Sequence, residues 1–268
     1  MTETALRAVL AERPLGLVFD IDGTLSQLVP LPDDARLYPG VAELLEDLRD
    51  RPNVHVGIMT GRGIDDGARM VGVEGLTYIG THGLEWSDGL PSLHPVQLVP
   101  GAEEFVAAGN YVLDIAEREL REVPGIIVQR KHVGGTLHYR RSPDPDEARQ
   151  RILAAVEEPA RKMHMRIGEG KKVVEVLAPL HVDKGQALRR FVQRFSVHGV
   201  VFAGDDRTDL YAMQEVEQLR NDGTNTIAAL AIAVQHSDTL PGILEHSDIV
   251  VQGVEGMVAL LREIVEEL

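Results

Sequence analysis

The chain has 268 residues, 44% of them hydrophobic, 26% charged and 4% aromatic, an ordinary globular composition with aliphatic residues enough for a sizeable core. Its net charge of −15 disfavours nucleic acid and anionic membrane as partners, and no apolar run approaches the ~18 residues a membrane span needs. The absence of cysteine excludes disulfides, thiolate catalysis and cysteine metal sites, and the start "MTETALRAVLAERPLG" lacks a signal-peptide pattern, so the expected location is cytoplasmic.

In chain order, "LGLVF" ending at Phe19, "VHVGIM" ending at Met59 and "GVVFAG" ending at Gly204 read as parallel strands buried on both faces. "LTYIG", "IAALAIAV" and "SDIVV" are weaker strand candidates. Between them, "PGVAELLEDLRDR", "DKGQALRRFVQRF" and the tail "GVEGMVALLREIVEEL" place apolar residues at helical spacing. Strands alternating with helices predict an α/β fold, a Rossmann-like doubly wound parallel-sheet core. The middle reads as helix, hairpin, helix, hairpin, an antiparallel α+β unit inserted in that core. The seams are expected near Pro91 to Pro100 and Pro179 to His181, giving a core of 1–95 with 179–268 and an inserted unit of 96–178.

In a parallel sheet, chemistry gathers beyond the carboxyl ends of the strands. Asp20 and Asp22 stand there after "LVF", as do Thr60, Gly61 and Arg62 after "VGIM", and Asp205, Asp206 and Asp209 after "VVFA". Several carboxylates in one cleft repel each other unless a cation sits among them. Oxygen ligands without thiolates or clustered histidines favour Mg²⁺, which takes one or two carboxylates and leaves positions for a phosphate. "DG" is also a common turn, so "DIDGT" by itself is ambiguous; the ordered set of three polar clusters after three aliphatic strands is what points to chemistry.

"DIDGT", "MTGR", the lysine of "DKG" and "GDDRTD" resemble the four motifs of the haloacid dehalogenase superfamily. With "GTHGLE", "LHYR" and "GKKVVEV" added, the chain resembles the trehalose-6-phosphate phosphatase family over nearly its whole length, the inserted unit matching that family's cap domain. The resemblance implies Mg²⁺-dependent hydrolysis of trehalose 6-phosphate. Asp20 would be the nucleophile and Asp22 the general acid and base. Mg²⁺ would touch the Asp20 side chain, the Asp22 carbonyl and the Asp205 side chain, with Asp206 and Asp209 in support. Gly23 would let the chain turn, Thr60 would donate to a phosphoryl oxygen, and Lys184 would supply fixed positive charge.

Gly61, Arg62, His82, Glu85, Arg140, Lys171 and Glu175 are the expected substrate-binding residues. Four of these have a structural alternative: Lys171 and Glu175 as a salt bridge, His82 as a structural histidine, Arg140 as the partner of a surface acid. Trp86 could stack on a sugar or simply pack. The expected partner is a small phosphosugar, with neither nucleic acid nor membrane; association with a separate synthase is not derivable from the residues. Another sugar phosphate on the same scaffold, or a non-catalytic sugar-phosphate sensor, stands as the alternative. After "GDDRTD", Leu210, Tyr211 and Ala212 replace the acidic continuation usual in the resembled family. A cap that opens and closes over the site is also expected.

Overall fold

Eight strands in the order β12-β11-β10-β1-β2-β3-β4-β5 form one sheet of the computed structural model, which describes residues 2–29, 34–170, 172–222 and 227–268. The elements run α1 (Thr2–Leu10), β1 (Leu15–Phe19), α2 (Val41–Arg49), β2 (Val54–Met59), α3 (Ile64–Val71), β3 (Thr77–Gly80), β4 (Glu85–Asp88) and β5 (Gln97–Leu98). Then come α4 (Val106–Glu119), β6 (Ile127–Arg130), β7 (Gly135–His138), α5 (Pro145–Lys162), β8 (Arg166–Gly170) and β9 (Val173–Leu177). The remainder is α6 (Lys184–Phe195), β10 (Gly199–Gly204), α7 (Asp209–Asn221), β11 (Ala228–Gln235), α8 (Pro241–Glu245), β12 (Ile249–Gln252) and α9 (Gly253–Glu267).

β1 is buried at all five positions and pairs in parallel with both β2 and β10. Alternate residues of the sheet serve two apolar layers. Leu15, Leu17, Phe19, Val201, Ala203, Leu230 and Ile232 pack in one cluster with α1, α2, α3 and α9. Against the other face lie α6 and α7, and Phe191 of α6 packs close to the sheet because Gly16 and Gly57 carry no Cβ there; one would stand 2.9 Å from the ring. Helices on both faces make this the doubly wound α/β sheet the aliphatic strands predict. From β1 the chain winds outward to β2 and β3, and later from β10 to β11 and β12 on the other side. The reversal falls between β1 and β10, where open α/β sheets bind ligands.

The chain divides into two compact units, Met1–Gln97 with Val182–Leu268, and Leu98–His181. The second unit is an antiparallel sheet, β6-β7-β9-β8, with α4 and α5 packed on each other and on the strands. Leu137, Val174 and Val176 are buried with Val112, Leu113, Ile152 and Val156 of the helices. Among the described residues no helix is long and apolar enough to cross a membrane.

Candidate active site

Asp20 is the first residue beyond β1, and its N–H bonds the carbonyl of Ala203 on β10 at 2.9 Å. That bond carries the two-strand register past the end of β1, so Asp20 and Asp205 emerge side by side at the switch point. Asp20 is 4% exposed and Asp205 7%. Carboxylate oxygens of Asp20, Asp205 and Asp209 lie within 4.8 Å of one another. Lys184, at the first turn of α6 and 2% exposed, donates from Nζ to Asp20 Oδ1 and to Asp209 Oδ1, both at 2.6 Å. The neighbouring Asp183 caps α6 by accepting from the Gln186 amide, which fixes where Lys184 begins the helix.

One lysine does not balance three buried carboxylates. Burial raises Asp20 well above the ordinary carboxylate range against the pull of Lys184, and Asp209, Asp205 and Asp206 push it further. Burial, then Asp209 and Asp206, push Asp205 up to about 8. Burial lifts Asp209 to about 6 with Lys184 opposing. Asp206 goes the other way: burial opposes its charge, but Lys184 and hydrogen bonds from Thr208 lower it to about 2. Burial also opposes the charge of Lys184, yet Asp20 and Asp209 hold its proton firmly. A pocket whose carboxylates take up protons for want of positive charge is suited to a hard divalent cation.

The oxygens of this trio differ in how far they are committed. Asp209 spends Oδ1 on Lys184 and Oδ2 on the amides of Asp205 and Asp206, each at 3.0 Å. Asp205 has a 3.4 Å bond from Thr24 Oγ1 and a 3.8 Å approach to His236 Nε2. Asp20 and Asp205 thus offer the open oxygens, while Asp209 orders the loop and the lysine. Asp206 caps the start of α7, taking the Thr208 amide and hydroxyl, both at 2.7 Å, and the Asp209 amide.

Gly23 sits at φ +84, and a Cβ there would strike the Asp205 carboxylate, so only glycine lets the two loops close. Its carbonyl is held by His236 Nε2 at 2.7 Å, from the residue just beyond β11. His236 carries no sequence signal. Only the placement of β11 beside β10 brings it here.

The second cluster follows β2. The Thr60 amide bonds Ile79 of β3, and Thr60 Oγ1 accepts from the Arg62 amide at 3.1 Å, leaving its own hydroxyl hydrogen for another acceptor. Arg62 reaches the Asp22 carboxylate with a two-toothed grip, Nε to Oδ2 and Nη2 to Oδ1, both 2.6 Å. Thr81 and His82 adopt left-handed backbone at φ +47 and +57. Such backbone is costly for non-glycine residues. Their amides bond the carbonyls of Arg62 and Thr60, and the His82 ring occupies the space a Gly61 Cβ would take, 2.5 Å from its Cε1. The strained turn therefore braces Thr60, Gly61 and Arg62 from behind.

Glu85, an expected substrate-binding residue, lies behind the same turn. It is fully buried, and its Oε2 accepts the Ile64 amide at 2.7 Å, tethering the start of α3. Trp86 likewise packs: it is 1% exposed, donates to the Gly83 carbonyl, and lies under the Arg190 guanidinium.

In the second unit, Glu175 stands opposite Thr136 and Gly168 in the strand register. Its Oε1 lies 3.4 Å from Thr136 Oγ1 and 3.5 Å from Lys131 Nζ. Gln129, paired with Thr136, and His138 share that face, and His138 Nε2 meets Gln129 Oε1 at 2.9 Å. This face thus carries four polar side chains among the apolar Ile127, Val173 and Leu177, while Leu137, Val174 and Val176 lie on the other. Arg140, two residues past β7, is exposed. Lys171, the expected partner of Glu175, lies outside the described residues.

The family model for trehalose-phosphatase matches residues 18–239. A trehalose-phosphate phosphatase of Mycobacterium avium (strain 104) is 32% identical over 238 residues, covering 85% of this chain and 56% of its own. A trehalose-phosphate phosphatase of Mycobacterium leprae (strain TN) is 29% identical over 245 residues, covering 85% and 52%. The chain therefore spans about half the length of the curated relatives it matches. Among solved structures, a trehalose-6-phosphate phosphatase related protein superposes with a TM-score of 0.75 at 23% identity, covering 94% of this chain and 97% of its own. The C-terminal domain of Candida albicans trehalose-6-phosphate phosphatase gives 0.72 at 19% identity, covering 99% and 96%. These two likenesses bear on the fold alone. The family-model match takes in both strand-end clusters, Lys184 and the glycine-led acidic loop, and so the chain belongs to the trehalose-phosphatase family.

Proposed function

We propose that the chain hydrolyses trehalose 6-phosphate to trehalose and inorganic phosphate, with Mg²⁺ as its metal. The observation that carries this reading is the Asp20 carboxylate, buried at the sheet's switch point, pinned on one oxygen by Lys184 and placed within reach of Asp205. The side chains of Asp20 and Asp205 and the Asp22 carbonyl would hold Mg²⁺, which when bound neutralises charge on the phosphoryl oxygens.

Lys184 holds Oδ1 of Asp20, leaving Oδ2 to attack phosphorus. The new bond joins Asp20 to phosphorus as the bond from phosphorus to the sugar oxygen breaks, and Asp22 gives that oxygen its proton. In the second step Asp22 takes a proton from water. The water oxygen bonds phosphorus, the Asp20–phosphorus bond breaks, and phosphate leaves. Thr60 donates to a phosphoryl oxygen while the brace of Thr81 and His82 keeps it in place.

The test is phosphate release from trehalose 6-phosphate, glucose 6-phosphate and sucrose 6-phosphate, with Mg²⁺ and with chelator. Preference for the trehalose ester, abolished by chelator and by Asp20→Asn, is the expected result. Equal turnover of all three esters would remove the substrate assignment, and full activity of Asp20→Asn would remove the nucleophile.

A further inference from the structure

The fit between His82 and Gly61 bears on how Thr60 is held. Gly61 lies outside the left-handed region, so its backbone does not call for glycine. What excludes a side chain is its neighbour: a Cβ there would meet His82 Cε1 at 2.5 Å, Nε2 at 2.9 Å and Nδ1 at 3.4 Å. The ring is kept in that place by backbone that is costly twice in a row. Thr81, β-branched and 6% exposed, and His82 itself are both left-handed. Their amides bond the carbonyls of Arg62 and Thr60 at 2.8 and 3.0 Å. The next residue, Gly83, packs against Ala187 of α6, which backs the turn from behind. Thr60 belongs to the same frame: its methyl is seated on Gly67 of α3, and its hydroxyl oxygen takes the Arg62 amide.

We infer that His82 is a positioning residue: its ring, pressed on Gly61 by the strained turn, sets the place of Thr60 instead of binding the sugar. This inference rests on the proposed phosphatase reading, in which Thr60 donates to a phosphoryl oxygen. Strain of this kind persists only where the surroundings over-determine it, and here they converge on one three-residue loop. The ring's own atoms agree. Nδ1 is buried, and the far end, Cε1 and Nε2, is the part that covers Gly61. The end with which a histidine usually reaches a ligand is thus the end that shapes the loop.

A bump and a matching hole test it. His82→Asn keeps a residue suited to left-handed backbone but ends where Nδ1 and Cδ2 stand, removing Cε1 and Nε2. Gly61→Ala adds the Cβ that those two atoms exclude. The kcat and KM for trehalose 6-phosphate are measured with Mg²⁺ for the full chain, both single variants and the double. Gly61→Ala should lose on the order of a hundredfold in kcat, as a displaced positioning group does. His82→Asn should lose about tenfold, with KM within about threefold of wild type. Independent effects would multiply to roughly a thousandfold, whereas coupled ones should leave the double near the His82→Asn level. A double less than about threefold above Gly61→Ala in kcat overturns the inference. So does a raised KM at unchanged kcat in His82→Asn, the pattern of a lost sugar contact. Should Gly61→Ala fail to fold, the urea midpoint reads the same cycle: the double should fold with a midpoint near that of His82→Asn, and a double as unstable as Gly61→Ala overturns the contact. Wild-type turnover separates the two ideas. Turnover with an uncoupled cycle sinks the positioning role alone, whereas a wild type that hydrolyses none of the three esters sinks both.

Discussion

Lys184 Nζ lies 2.6 Å from Asp20 Oδ1 and 2.6 Å from Asp209 Oδ1, and all three residues are buried. A single ammonium thus holds the proposed nucleophile and anchors the loop that carries Asp205. Lys184→Met preserves length and packing but removes the charge. We expect phosphate release to fall on the order of a thousandfold, as when a preorganised charge at a transition state is lost. Breaking a buried pair strands its partners, at a cost of roughly 3–5 kcal/mol. That loss should shrink on acidification, since Asp20 and Asp209 can then take up protons instead. Urea unfolding at pH 5 and pH 8 checks this; equal deficits at both values would contradict it.

Removal of metal should expose the pocket's own titration. Asp205, at about 8, and Asp209, at about 6, hold protons in the folded chain above the pH at which they would lose them unfolded. Between about pH 4 and pH 8 the native state binds more protons, so its stability falls as pH rises, by up to about 1.4 kcal/mol per pH unit for each proton involved. Asp206, lowered to about 2, works in the opposite direction: its contribution is present above about pH 4 and lost as pH falls toward 2. Chelator-treated protein should therefore melt at a lower temperature at pH 8 than at pH 5.5, and Mg²⁺ should raise the melting temperature more at pH 8. A Mg²⁺ effect independent of pH would argue against a cation among these carboxylates.

The parts of this site visible in the sequence are those whose environment is local. β1, β2 and β10 are rich in aliphatic residues, broken in β2 by the half-buried His55, because parallel strands covered on both faces have little solvent side, and the polar residues that end them mark the candidate site. α3 and α7 carry a weaker signal: α3 is short and carries Asp65, Asp66 and Gly67, and α7 begins inside the acidic motif at Asp209. β4, "EWSD", is a strand only because β3 offers its edge in antiparallel register, a tertiary effect that no propensity encodes. Glu85 and His236 show the same limit at the level of side chains. Their roles depend on the Ile64 amide and the Gly23 carbonyl, 21 and 213 positions away.

Gly23→Ala tests how tightly the two loops fit. The substitution meets both a φ of +84 and the Asp205 carboxylate. Backbone strain alone costs about 1–2 kcal/mol, and relief of the collision displaces a carboxylate from the proposed cation site. Activity should fall more than a hundredfold, with a raised Mg²⁺ requirement. A variant that loses stability but keeps the wild-type Mg²⁺ dependence would show that Asp205 is not engaged with the metal.

His236 holds the Gly23 carbonyl at 2.7 Å, so it sets the loop between Asp22 and Thr24 without being one of the reacting groups. His236→Ala should lower turnover by about tenfold, the size typical of a lost supporting contact beside a metal site. His236→Gln, able to donate to the same carbonyl, should recover part of that loss. If Gln and Ala behave alike, the hydrogen bond to Gly23 is not what His236 contributes.

Glu85 separates a tether from a ligand. Its carboxylate is sealed from solvent and holds the Ile64 amide at 2.7 Å, fixing the start of α3 behind the turn that bears Thr60 and Arg62. Glu85→Ala leaves that buried amide without a partner, which costs about 1–3 kcal/mol, and opens a cavity besides. The unfolding midpoint should drop, and so should turnover, because Thr60 and Arg62 lose the support beneath them. The KM for trehalose 6-phosphate, by contrast, should stay within about twofold, since no bond to sugar is removed and uniform binding is what KM alone reports. Steady-state kinetics on folded variant at low temperature decides the matter: a large rise in KM at unchanged turnover would return Glu85 to the sugar pocket.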